Sequence, residues 1–132
     1  MPETYTEALQ TRYDAIDSGG WDAFFADLHP DFELVTPERG PLGATTVPGP
    51  KGAREAFRDF FAPYDEVSIE PQQYFEQGDR TVVYFVMRCR PSGSSAAVEI
   101  QAGHLWTMRD GIPARLQIFP EREKALKAAA RD

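Results

Sequence analysis

The stretch from Ala96 to Phe119 constrains the fold more than any other part of the chain. It reads as two long strands joined at Arg109-Asp110-Gly111. Strand side chains alternate between faces with a period of two. The first strand therefore puts Ile100, Ala102, His104, Trp106 and Met108 on one side. The second puts Leu116 and Ile118 on a matching side, with Arg115 and Gln117 pointing the other way. One histidine thus sits in the middle of an apolar stripe that some other part of the chain must cover.

Two further strands precede this hairpin. Residues 66–76 alternate with Val67, Ile69 and Phe75 on one face, and Gln77-Gly78-Asp79 forms a turn. Residues 80–90 put Val83, Phe85, Met87 and Cys89 on a wholly apolar face and Val82, Tyr84, Val86, Arg88 and Arg90 on a mixed one. The cover lies upstream. Tyr5, Leu9, Tyr13 and Ile16 share one face of a helix over residues 3–18, stopped at Ser18-Gly19-Gly20. Trp21, Phe24, Phe25 and Leu28 make a second, short amphipathic helix, ended by His29-Pro30. A short strand follows over residues 31–36. Residues 37–50, with four prolines and three glycines, read as a long loop of the kind that forms lids and pocket rims or stays disordered. Ala53, Ala56, Phe57, Phe60 and Phe61 line one side of a helix over residues 52–61. A last helix, residues 121–131, has Leu126 as its one large apolar anchor and is expected to be loosely held. Helices early and strands late predict an α+β layer pair in a single domain, residues 1–132.

Composition narrows the class of partner. Nine Phe, five Tyr and two Trp supply more apolar surface than a disordered chain carries. A net charge of −7 without a basic cluster argues against nucleic acid or an anionic membrane as partner. Cys89 is the sole cysteine, so no internal disulfide forms; its strand position predicts a buried, inert thiol. His29 and His104 lack metal-ligand spacing, no phosphate-binding glycine loop is present, and no cofactor is implied. The absence of a signal-like or spanning segment gives a cytoplasmic expectation.

The order of elements is similar to that of the nuclear transport factor 2-like (NTF2-like) superfamily, and within it the SnoaL-like domains. The matching residues are Arg12-Tyr13, Leu28-His29-Pro30-Asp31-Phe32, Gly49 ahead of the Ala53–Phe61 helix, the run from His104 to Gly111, and Glu121-Arg122-Glu123-Lys124-Ala125-Leu126. The resemblance implies an NTF2-like or cystatin-like curved antiparallel sheet cone wrapped around helices, with an internal pocket and usually a homodimer through the outer sheet face. It leaves the function open, because isomerases, cyclases, hydrolases, dehydratases and pure binders share the fold.

Compared with the ketosteroid isomerases, Tyr13 falls at the tyrosine of the oxyanion hole and His104 at its protonated aspartic acid. Both would donate hydrogen bonds to a developing enolate. The isomerase base position falls on Pro37 and the polyketide cyclase aspartate on Ile118, neither of which takes a proton. The epoxide hydrolase Asp-Arg-Asp set has no match on the 100–108 or 114–118 faces. Replacement bases are Glu33, whose direction the short strand leaves undecided, and His104 with its unperturbed pKa near 6.5. Tyr13 reads equally well as a core residue bonded toward the cavity.

The expected ligand-binding set is Tyr13, Trp21, Phe25, Phe57, Phe61, Phe85, Met87, His104, Trp106, Leu116 and Ile118, around a small apolar molecule. Two readings remain. One is a cofactor-independent isomerase, cyclase or hydrolase-type enzyme on an apolar or polycyclic substrate. The other is a non-catalytic ligand-binding or dimeric interaction module. An open cavity of roughly 300 Å3 reached by both Tyr13 and His104 would favour a ligand; a core filled by Phe57, Phe61, Trp106 and Met87 would leave no room for one.

Overall fold

A computed structural model describes residues 5–37 and 43–130, with the side chains of 17–19 left aside. The elements are α1 (Tyr5–Phe24), β1 (Glu33–Thr36), β2 (Thr45–Pro48), α2 (Pro50–Phe61), β3 (Tyr64–Gln77), β4 (Arg80–Pro91), β5 (Val98–Arg109), β6 (Ile112–Phe119) and α3 (Arg122–Ala130). The six strands form one curved, open sheet in the order β2-β1-β6-β5-β4-β3. It is mixed rather than purely antiparallel, because β1 runs parallel to β6 with Leu34 opposite Leu116.

The hairpin register is the one the alternation demands, with His104 opposite Ile118 and Trp106 opposite Leu116. The apolar face of β4 joins the same surface, Val83 opposite His104 and Phe85 opposite Ala102. α1 and α2 pack onto this concave face. The double glycine does break α1: Gly20 has φ +64° and ψ −152°, outside the helical region, so the chain turns before Trp21 and Phe24. Arg12 reaches across this break and donates to the carbonyls of Phe24 (3.0 Å), Ala26 and Asp27 (3.3 Å). These are carbonyls a short helical piece leaves without partners at its end.

Three expectations are corrected. First, residues 37–50 are not all loop. Thr45–Pro48 pairs antiparallel with β1 as an edge strand, where a terminal proline costs little. Proline and glycine counts hid the β-branched run Thr45-Thr46-Val47; residues 38–42 lie outside the described residues. Second, Phe75 does not share a face with Val67 and Ile69. A bulge between Pro71 and Gln73 shifts the register by one, putting Tyr74 opposite Val83 and Phe75 opposite Val82 on the convex side. Third, α3 is held by its alanines rather than by Leu126. Ala125 and Ala129 are buried with Val82 and Leu105 on the convex face. Gly103 makes room there, since a Cβ on it would meet the Arg122 Cα at 3.1 Å and the Ala125 Cβ at 3.3 Å.

The Thr81 hydroxyl is buried, without a hydrogen-bond partner among the described residues. Thr81→Val keeps the shape and removes the orphaned group, so chemical denaturation should show equal or higher stability, by up to about 2 kcal/mol. A loss above about 1 kcal/mol would mean that the hydroxyl is satisfied. Gly103→Ala should cost about 1–3 kcal/mol, because backbone atoms of α3 cannot step aside as a side-chain tip can. Hydrogen exchange should show the α3 amides losing protection first.

Candidate functional site

β5 carries the site. Its alternate residues Ile100, Ala102 and His104 run from rim to floor of a cavity of about 250 Å3. A strand rises ~3.4 Å per residue, so this spans ~14 Å. Leu34, Thr36 and Pro37 of the β1 segment, Ala56, Phe57 and Phe60 of α2, Ile69 of β3, Phe85 and Met87 of β4, and Ile118 and Pro120 complete the wall. Ile100 is 41% exposed and marks the mouth, while His104 is 2% exposed and marks the floor.

Among the described residues, Thr36 and His104 are the polar side chains of the wall. The Thr36 hydroxyl is already used: it donates to the carbonyl of Gly43 at 2.6 Å and accepts from the amide of Thr45 at 3.2 Å. His104 is different. Among the described residues it makes one hydrogen bond, from its Nδ1 to the Tyr13 hydroxyl at 2.7 Å. Nε2 is neither bonded nor sealed in the packing, and the surface to which His104 contributes is the cavity. The ring is braced by Phe85, with centroids 4.2 Å apart, and by Tyr13, nearly parallel at 5.9 Å.

Behind His104 the packing is closed to solvent. Tyr13 and Trp106 are buried, and the Trp106 indole N–H donates to the Tyr13 hydroxyl at 2.9 Å. Burial without a counter-charge pushes the His104 pKa from 6.5 down to about 3. Burial also raises the Tyr13 pKa well above its usual value, against a smaller lowering by the Trp106 bond. Both groups are neutral at physiological pH.

The expected ligand set divides cleanly. Phe57, Phe85, Met87, His104 and Ile118 line the cavity. Trp21, Phe25, Phe61, Trp106 and Leu116 lie in the packed core beside it, and so does Tyr13, which stands behind His104 rather than next to it. The two expected donors are therefore in series. Tyr13 spends its bond on the imidazole, and of the two it is His104 that lines the cavity. Nine lining residues escaped the expected set, among them Ala56 and Phe60 on the apolar side of α2 and the short side chain of Ala102. Helical spacing marked the first two as apolar but not as cavity wall.

The replacement bases fare poorly. Glu33 points to the convex face, where it pairs with Arg115 at 3.5 Å. His104, lowered to about 3, holds a proton too weakly to serve as a general base near neutrality. Among the described residues no carboxylate lines the cavity. Cys89 is buried, with its thiol pKa raised by burial.

Residues 9–115 match the SnoaL-like domain family model. The chain belongs to the SnoaL-like domain family. No curated protein sequence matches it. Among solved structures, the SnoaL-like chain resembles TerC, co-crystallised with polyporic acid, at 26% identity over 93% of this chain and 95% of that one, with a TM-score of 0.75. An NTF2-like protein of unknown function from Burkholderia pseudomallei K96243 superposes with a TM-score of 0.78 at 16% identity, over 96% and 97% of the two chains. A protein of ketosteroid isomerase-like fold from Catenulispora acidiphila DSM 44928, in complex with trimethylamine, gives 0.74 at 14% identity, over 92% and 90%. The last two establish a common fold, that of the NTF2-like proteins.

The depressed pKa of His104 has a measurable consequence. The native ring stays neutral down to about pH 3, whereas the unfolded ring protonates near 6.5. Between those values the unfolded chain binds more protons, so stability is present above pH 6.5 and is lost as pH falls. The slope approaches about 1.4 kcal/mol per pH unit from this group alone. Urea denaturation at pH 7 and pH 4.5 should show the native protein losing more stability than His104→Gln. Equal losses would mean that the imidazole titrates normally.

Proposed function

We propose that the cavity binds a small, neutral, mostly apolar molecule that offers one hydrogen-bond acceptor, such as a ketone oxygen, to His104. The observation that carries this reading is the one unsatisfied polar group among the described residues of a mostly apolar wall, at its floor. Apolar surface supplies affinity, and one placed polar group supplies orientation. Membership of the SnoaL-like family supports a small-molecule pocket. The co-crystal of TerC with polyporic acid supports a small organic compound as the ligand class. Anions and cations are disfavoured, because no opposite charge on the described wall would offset their desolvation.

A second reading is catalysis of the isomerase or cyclase type. It is favoured by the same geometry, since a neutral N–H held in a dry site is what a developing oxyanion requires. It needs a base that the described wall does not supply, so binding without proton abstraction is the primary reading. The proposal includes a homodimer through the part of the convex face that α3 leaves open. That part carries the Arg88–Glu99 pair at 2.7 Å, and sedimentation, which reads mass in solution, tests the dimer.

A panel of neutral aromatic ketones, fluorenone among them, tests the binding reading by thermal shift. A ligand at a hundred times its Kd adds about 2.7 kcal/mol of stability, worth several degrees in Tm. Ala102→Leu fills the middle of the cavity with three extra carbons and should abolish that shift without unfolding the protein. Identical shifts in native and variant proteins, or no shift from any ketone, would overturn the reading.

A further inference from the structure

The hydrogen bonds behind His104 have only one consistent direction. An indole N–H can only donate, so the Tyr13 oxygen accepts from Trp106 at 2.9 Å. The Tyr13 hydroxyl proton then has one described partner within reach, His104 Nδ1 at 2.7 Å. If Nδ1 carried the ring proton instead, two N–H groups would converge on one hydroxyl, and its own proton would be left without an acceptor inside an aromatic cluster. That cluster is closed: Phe24, Tyr74 and Trp106 stand edge-on to the Tyr13 ring. Leaving a buried donor unpaired there is costly. Nδ1 is therefore the acceptor, and the neutral ring must carry its proton on Nε2, the nitrogen open to the cavity.

We propose that Tyr13 and Trp106 are positioning residues that lock His104 in its Nε2–H tautomer, and that this lock makes the cavity select acceptors over donors. The inference rests on the small-molecule reading above and deepens it. Neither Tyr13 nor Trp106 touches the ligand; each acts through the next ring. Removing the Tyr13 hydroxyl leaves the shape of the pocket intact but frees Nδ1 from its donor. The ring then populates the other tautomer, and Nε2 presents a lone pair to the cavity. A pocket that took a ketone would now prefer an alcohol, which can donate.

The experiment has a ligand-free arm and a ligand arm. The chain has two histidines, so long-range proton–nitrogen spectra of labelled protein contain two imidazoles, and His104→Gln assigns them. Native His104 should show the Nε2–H pattern, unchanged between pH 5 and pH 8. Tyr13→Phe should raise the Nδ1–H fraction or restore titration of the ring. In the second arm, Kd values for fluorenone and fluorenol are compared in the two proteins. The ketone-to-alcohol affinity ratio should fall about tenfold in Tyr13→Phe, the scale of one buried hydrogen bond gained or left unmade. An Nδ1–H pattern or a charged ring in the native protein overturns the lock, with no variant required. An unchanged tautomer and an unchanged ratio in a folded Tyr13→Phe also overturn it. If neither compound binds but the tautomer shifts as described, the lock stands and the small-molecule reading fails.

Discussion

An imidazole buried without a counter-charge cannot stay protonated, and that constraint organises the concave side of this protein. Desolvation takes His104 to about 3 and leaves a ring with one donor and one acceptor. The acceptor must be satisfied in a region otherwise made of aromatic carbon. Tyr13 satisfies it, and Trp106 satisfies Tyr13 in turn. Three side chains from two elements thus close a polar line through the core, with one end exposed to a cavity. Phe24 and Tyr74 pack edge-on around Tyr13, and among the described residues its hydroxyl bonds to His104 and Trp106.

The cavity exists because the sheet curves away from the helices at one end and not at the other. Toward Trp106 and Leu116 the gap is filled by Leu9, Phe24 and Phe32, all fully buried. Toward Ile100 the wall thins to Ala102 and Ala56, and space remains. The bulge between Pro71 and Gln73 lies on the edge strand beside this transition. It lets β3 send Ile69 to the cavity and Phe75 to the opposite face. On the convex side α3 sits against Gly103, directly behind the strand that carries His104. The floor of the cavity is therefore supported from both sides: Tyr13 and Trp106 in front of the sheet, Ala125 and Ala129 behind it. Rigid support of this kind is what a placed hydrogen-bonding group needs in order to discriminate between ligands.

Membership of the SnoaL-like family fixes the fold but not the function. Here the described wall is apolar apart from the Thr36 hydroxyl, which is already bonded, and the backed imidazole of His104. A group held neutral and oriented can bind an acceptor or steady a developing oxyanion with equal competence. What separates the two outcomes is a proton acceptor on the other side of the ligand. The described part of the wall provides hydrocarbon there: Leu34, Pro37, Ile118.

Local pattern determined a good deal. Period-two alternation specified the inner faces of β4, β5 and β6, and with them the place of His104 in an apolar stripe. Helical spacing specified the buried side of α2, and the double glycine specified the break in α1. These features depend only on residues within a few positions of one another. The sequence did not disclose the Pro71–Gln73 bulge, because one extra residue leaves no compositional trace. Nor did it disclose the alanine contact of α3, which becomes meaningful only opposite Gly103. It placed Tyr13 and His104 in one neighbourhood but could not decide whether they stand side by side or one behind the other. Only the tertiary structure decided that order, since it depends on how deeply α1 sinks into the curved sheet. Depth also sets the solvation of the imidazole, and so its charge, its tautomer and the chemistry it can offer. A residue's identity is local; its desolvation is a property of everything packed around it.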